Sequence, residues 1–242
     1  MTTIEISTDI HNVLNFPCNI EIIIVKCIYW KAIKNKRLPK GANMNKKLEP
    51  LKNEFINKGG ILKTVELNEL GFSSRQINYL IDNKIVSKIK HGFYEYIEYH
   101  PKEEVIIARL FPEAVIFLES AAIYYGYTDR IPAAWQISVH RKSKPNQYNI
   151  SYPLIEPFYQ DPKFINIGVD VIKVDGVDVR VYDRNRTICD ILRYEKKLSD
   201  ETFKSAIKRY VDDPKKNVRK LFEYAEKLNI ANKVQTYIGV RL

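Results

Sequence analysis

Asp175-Gly176 stands between two runs of alternating side chains, Val171 to Val174 and Val177 to Tyr182. A two-residue hairpin matches the twist of its strands only if both central residues accept positive φ, and Asp-Gly is such a pair. The dipeptide therefore predicts a type I′ turn and an antiparallel ribbon, which excludes an all-helical chain. Before it, Ile137 to Val139, Ile155 to Phe158 and Ile165 to Val169 read as further strands. Between the first two lies a basic loop, Arg141 to Gln147, that suits either solvent or a partner's acidic surface. Upstream, Pro101 opens a helix at its first position, with Val105, Ile106, Ala108, Arg109 and Leu110, and a second buried helix runs from Glu119 to Tyr125 and stops at Gly126. From Asp183 the pattern becomes helical. Asp183 caps Arg184 to Arg193, Asp200 caps a helix reaching Val211, a third helix after Pro214 carries Leu221, Phe222 and Ala225, and Val234 to Ile238 closes the chain.

Residues 44–100 have a different grammar. Leu48, Leu51, Phe55 and Ile56 recur at helical spacing, and Gly59-Gly60 stops the helix over residues 46–58. Thr64 is the expected cap of a short helix from Val65 to Leu70, ended by Gly71. Ser73-Ser74-Arg75-Gln76 then has the capping-box pattern, in which a serine hydroxyl and a glutamine amide three residues on satisfy two orphan amides. The helix it opens buries Ile77, Leu80 and Ile81, which leaves Arg75, Asn78, Tyr79 and Asp82 on the other face. Ile85 to Lys90 and Phe93 to Tyr96, joined at His91-Gly92, alternate as a hairpin.

Short helices followed by a hairpin predict a winged helix-turn-helix, whose recognition helix offers the outward side chains of its first turns to the major groove. Arg75 suits a bidentate contact to guanine, Asn78 or Gln76 a contact to adenine, and Ser73 and Ser74 a phosphate at the helix N-terminus, with Tyr79 beside them. Lys88, Lys90 and His91 are placed along the wing as phosphate contacts. The same fold also serves as a protein-protein module, in which case the lysines are a solvated face.

Composition narrows the classes further. The 242 residues carry 39 Lys plus Arg against 29 Asp plus Glu, a formal charge of +10, with 45% apolar residues. That rules out an intrinsically disordered chain and favours an anionic partner without specifying a fold. The surplus concentrates near the C-terminus, where Lys204, Lys208, Arg209, Lys215, Lys216, Arg219 and Lys220 form a second basic surface. The most apolar stretch, Ile20 to Ile33, is broken by Glu21, Lys26 and Lys31, short of the roughly 18 apolar residues of a membrane span. Glu5 and Asp9 precede the first basic residue, so a secretory leader is not expected and the chain reads as cytoplasmic. Cys18, Cys27 and Cys189 are too few for a four-thiolate metal site and are read as reduced core thiols.

His11, His91, His100 and His140 form no i, i+4 metal pair, and Gly59-Gly60 lacks the Gly-Lys-Ser/Thr of a phosphate loop. Asp170 and Lys173 are three apart and so lie on opposite faces of a strand, against a nuclease reading. Arg186 and Asp190, four apart on a helix, read as an ion pair rather than a catalytic dyad. The expectation is a chain that is not an enzyme, with no cofactor and no metal. Residues 1–43, with an apolar patch and a basic loop from Lys34 to Lys40, read as an extension outside the domain pattern, and Met44 as an alternative start.

Gly60-Ile-Leu-Lys-Thr-Val-Glu-Leu, Ser73-Ser-Arg-Gln-Ile and Lys90-His-Gly-Phe-Tyr94 together resemble the N-terminal winged helix of AbiEi-type antitoxins from abortive-infection toxin-antitoxin systems. Glu119-Ser-Ala-Ala-Ile-Tyr-Tyr-Gly-Tyr-Thr-Asp-Arg-Ile-Pro132, Val181-Tyr-Asp-Arg-Asn-Arg-Thr-Ile-Cys-Asp-Ile-Leu-Arg-Tyr194 and the helix with Ala206 and Tyr210 resemble that family's antitoxin domain. The resemblance spans about residues 44–242. It departs at Asn185, where members more often carry an acidic residue, which bears on local capping.

The resemblance implies an α+β protein of three parts: the extension 1–43, a winged-helix DNA-binding domain over 44–100, and over 101–242 a mixed α/β antitoxin domain ending in a helical segment. It implies two jobs. One is repression of its own operon through inverted repeats in operator DNA, as a cooperative pair of monomers or as a dimer. The other is neutralisation of a nucleotidyltransferase-like toxin encoded next door, for which a stable complex need not form. The second basic surface suits either operator phosphates or the toxin. Plain transcriptional regulation with an unrelated sensor domain is the alternative.

Overall fold

The computed structural model describes residues 44–239. The expectations for residues 1–43, including Cys18, Cys27 and His11, lie outside the described residues. Helix α1 (Met44–Asn57) accommodates Pro50 and ends where Gly59 and Gly60 take positive φ. Gly60 donates its N–H to the Phe55 carbonyl, and any Cβ there would collide with the Tyr99 ring, so glycine is required on two counts.

Strand β1 (Ile61–Lys63) follows, then α2 (Thr64–Glu69), α3 (Ser74–Asp82), β2 (Val86–Lys90) and β3 (Phe93–Tyr96). The three strands form one antiparallel sheet of order β1-β3-β2, with β2 at an edge. Thr64 is the first helical residue of α2 rather than its cap; Lys63 occupies the cap, and its N–H donates to Glu66 Oε2 at 2.7 Å.

The rest of the chain is built on a five-stranded mixed sheet. After α4 (Glu103–Leu110) come β4 (Val115–Ile116), α5 (Leu118–Tyr124), β5 (Trp135–His140), a 3₁₀ turn (Pro145–Tyr148), β6 (Ile155–Gln160), α6 (Pro162–Ile165), β7 (Val169–Val174) and β8 (Val177–Tyr182). Lys102 caps α4, so Pro101 lies before the helix instead of at its first position. Residues 162–165 are a helical turn instead of the start of a strand, because Asp161 accepts from the Lys163 N–H and Pro162 supplies a helical φ at the first position. Asp175 and Gly176 both take positive φ, as a type I′ turn requires.

The strand order is β6-β5-β4-β8-β7, parallel at β6-β5 and β4-β8 and antiparallel at β5-β4 and β8-β7. Alternation then sorts the side chains onto two faces. Val115, Phe117, Phe158 and Tyr182 join one core with the C-terminal helices α7 (Arg184–Arg193), α8 (Asp200–Asp212), α9 (Val218–Lys227) and α10 (Ala231–Tyr237). Ile137 and Val139 meet Ile106, Ile107 and Leu110 of α4 in a second core, with Val179 and Val181 beside it. Ser199, not Asp200, caps α8 through its hydroxyl.

That second core also contains Ile61 of β1, with Ile89 and Phe93 packed against it. Hence the small sheet and the large one share apolar contacts, and Leu48–Leu242 form a single compact unit. An ion pair reinforces the join: Arg109 Nη2 reaches Glu66 at 2.5 Å and also donates to the Ile61 carbonyl at 3.1 Å.

Candidate nucleic-acid interface

Helix α3 owes its position to its first residue. Ser73 holds extended dihedrals, and its N–H donates to Gln76 Oε1 at 2.9 Å, the reciprocal arm of the capping box. Ile77 and Leu80 are buried beneath the helix, which turns Ser74, Arg75, Asn78 and Asp82 to solvent, with Tyr79 half-buried. Among the described residues Arg75 and Asn78 make no side-chain hydrogen bond or ion pair. Both therefore keep their polar groups free, the guanidinium as a fixed fork of donors and the amide as a donor-acceptor pair. Gln76 reaches back as the capping-box pattern expects, so its amide oxygen is occupied by the cap.

The hairpin separates three residues that sequence placed together. Its register slips between Lys88 and Lys90, so the two lysines no longer share a face as i and i+2 would in a regular strand. Lys88 and His91 remain exposed, without a side-chain partner among the described residues. Lys90 faces the other way. Its ammonium turns back onto the Phe111 ring, 4.9 Å from the centroid, and donates to the Gln147 carbonyl. Burial pushes its pKa below the ordinary lysine value.

Glu66 lies behind this surface and went unnoticed in the sequence, because its partner Arg109 is 43 positions away. Burial works against its charge, but the Arg109 guanidinium and the Lys63 N–H outweigh it and hold the carboxyl below its ordinary 4.5. The pair fastens the first turn of α2 to helix α4.

The second basic surface divides as well. Arg209 holds Asp129 and the Gly126 carbonyl, Arg219 holds Glu223 at 3.2 Å, and Lys204 lies 3.9 Å from Asp200. Lys208, Lys215, Lys216 and Lys220 have no side-chain hydrogen bond or ion pair among the described residues. Lys215 and Lys220 border a polar cleft of about 430 Å³ together with Arg184, Asp170 and Tyr224. Arg184 there is paired with Asp213 at 3.0 Å.

Arg186 takes the opposite course to all of these. It is wholly buried, bonded through Nε to Asp190 at 2.7 Å and through Nη1 to the Phe164 and Ile167 carbonyls, with its guanidinium 4.2 Å from the Tyr182 ring centroid. Arg193 adds a second cation to Asp190 at 2.9 Å. The motif joins α7 to the segment before β7. Asn185 is buried alongside and accepts from the Tyr210 hydroxyl at 2.9 Å and the Asn217 N–H at 3.0 Å, while Asp183 caps the helix. An amide thus serves at 185 without weakening the cap. Cys189 is a free buried thiol whose pKa burial pushes up.

No protein-family model matches the chain, and no curated protein matches it. Among solved structures, the Rv2827c protein from Mycobacterium tuberculosis superposes with a TM-score of 0.50 at 11% identity, covering 82% of this chain and 78% of that one. The likeness is one of fold alone. Among the described residues no helix is long and apolar enough to cross a membrane.

Proposed function

We propose that the chain is a DNA-binding antitoxin that represses its own operon and neutralises a nucleotidyltransferase-like toxin. In this reading residues 44–100 are a winged helix: the order helix, strand, helix, helix, strand, strand and the sheet β1-β3-β2 suit that fold, with α3 as recognition helix and the β2-β3 turn as wing. The observation that carries the reading is the outward face of α3, where Arg75 and Asn78 are exposed and unpaired above a buried Ile77 and Leu80. Ser73 and Ser74 would approach a phosphate at the helix N-terminus, and Lys88 and His91 would follow the backbone along the wing.

The toxin-neutralising role is drawn from the resemblance over 101–242. The unpaired lysines Lys208, Lys215, Lys216 and Lys220 are the side chains best placed to meet an acidic toxin surface.

Two measurements test the two roles with the full chain. Titration of a duplex from upstream of the gene against a random duplex of equal length should show preference for the former, and equal affinity would remove the operator reading. Induction of the neighbouring gene in a bacterial host should slow growth, with rescue on co-expression of this chain. A toxic neighbour without rescue leaves a plain regulator as the better description.

A further inference from the structure

We infer that the loop between β5 and β6 is a second phosphate-contacting element, held beside the wing so that DNA meets residues from both sheets. This rests on the DNA-binding reading above and extends it to residues outside 44–100.

The argument begins with Lys90. Its ammonium is spent on the Gln147 carbonyl, which ties the 3₁₀ turn at the end of the loop to the last residue of β2, just before the His91-Gly92 turn. The contact is braced from below. Phe111 lies under the Lys90 ammonium at 4.9 Å, and the same ring packs against buried Tyr148 with centroids 5.1 Å apart. Loop and hairpin therefore share a floor.

The loop's own bonds hold it in shape. Arg141 donates through its N–H to the Gln160 carbonyl at 2.8 Å and through Nη1 to Asp161 at 2.8 Å. The Lys142 N–H donates to His140 Nδ1 at 3.0 Å, the Ser143 N–H to the His140 carbonyl at 2.8 Å, and the Gln147 N–H closes the 3₁₀ turn on the Lys144 carbonyl at 3.1 Å. With the backbone committed in this way, Lys142 and Lys144 are left exposed and without side-chain partners among the described residues.

Two cations on a braced loop whose 3₁₀ turn is bonded to the end of β2 fit a polyanion better than a single ligand. Duplex DNA presents a charge about every 3.4 Å along each strand, so neighbouring phosphates can engage Lys88 and His91 from the hairpin and Lys142 and Lys144 from the loop. Such contacts set register without reading sequence.

The test is a salt titration of the full chain on the upstream duplex and on a random one. Lys142→Ala/Lys144→Ala should lower the slope of log affinity against log salt by about two and weaken both duplexes alike, by roughly tenfold near physiological salt. Lys196→Ala/Lys227→Ala removes the same charge from elsewhere on the surface and should leave the slope nearly unchanged. Arg75→Ala should instead narrow the gap between the two duplexes. An equal loss of slope in both double variants would reduce the effect to net charge and overturn the inference. Wild-type binding by the loop variant would also overturn it, and a loss confined to growth rescue would hand the loop to a protein partner. Failure of the unaltered chain to bind any duplex would remove the DNA-binding reading together with the inference.

Discussion

Helices α3 and α7 are of similar length and both carry arginine in the first turn, Arg75 in α3 and Arg184 and Arg186 in α7, yet Arg75 and Arg186 end in opposite environments. Arg75 follows a capping serine on a helix with one apolar face, so it points to water and finds no partner among the described residues. Arg186 follows a capping aspartate on a helix buried nearly all round, and it is enclosed by Asp190, two carbonyls and the Tyr182 ring. Removing a charge from water costs several kcal/mol unless it is paired, so a sequence that buries Arg186 must also supply Asp190 one turn later, and even then Nη2 finds no partner among the described residues. Arg75 carries no such obligation and keeps its donors free. Within one chain, arginine is a structural rivet in one helix and an available fork in the other, and the surrounding apolar pattern decides which.

The contrast breaks most easily at the rivet. Arg186→Ala should leave Asp190 with only Arg193 and destabilise the fold by about 3–5 kcal/mol, read from denaturant midpoints. The paired variant Arg186→Met/Asp190→Leu should recover part of that loss, because the buried carboxylate is then removed with its main partner, while Arg193, partly exposed, gives up its bond to Asp190; equal damage from both variants would contradict the ion-pair account. Arg75→Ala is the mirror case. It should leave the unfolding midpoint in place while removing about 1–3 kcal/mol of discrimination between upstream and random duplexes, measured by competition binding.

A smaller effect tests the join between the sheets. The Glu66 carboxyl titrates below its ordinary 4.5 in the folded chain, so its contribution to stability is complete above that value and is lost as pH falls through the lower folded pKa. Glu66→Gln should therefore flatten the acid limb of the stability profile below about pH 4.5 and lower the plateau above it. A wild-type profile retained in the variant would remove Glu66 as the cause. Least of all should come from Arg219→Ala, whose pair with Glu223 is exposed: a change of about 0.5 kcal/mol or less in stability is expected.

Much of the local chemistry was readable in the sequence, although the caps of α2, α4 and α8 each fell one or two residues from the expected position. The capping box at Ser73, the Asp175-Gly176 turn and the Asp183 cap each depend on residues within four positions, and all three form. Strand β1 escaped notice because three residues between Gly60 and a helix are too few to show a period of two. The run from Ile165 looked strand-like through its apolar residues, although Asp161-Pro162 carries the stronger local signal of a helical start. At the candidate interface the outward set of α3 followed from helical periodicity alone. Lys90 did not, since a bulge of one residue reverses the facing of everything beyond it and leaves no trace in composition. Nor did Glu66 with Arg109, or Lys90 with Gln147, because neither pairing is local.

Among the described residues β6 and β7 stand at the edges of the large sheet, which has a consequence for assembly. A bare edge strand is a template on which another chain can add its own strand. Here β6 carries Pro157, which offers no N–H, and β7 carries Asp170 and Lys173, charges that an incoming strand would have to desolvate. Main-chain addition is therefore disfavoured on both sides. A second chain meeting the large sheet would have to engage side chains rather than add a strand, so substitution of surface residues can tune such an encounter without touching the sheet.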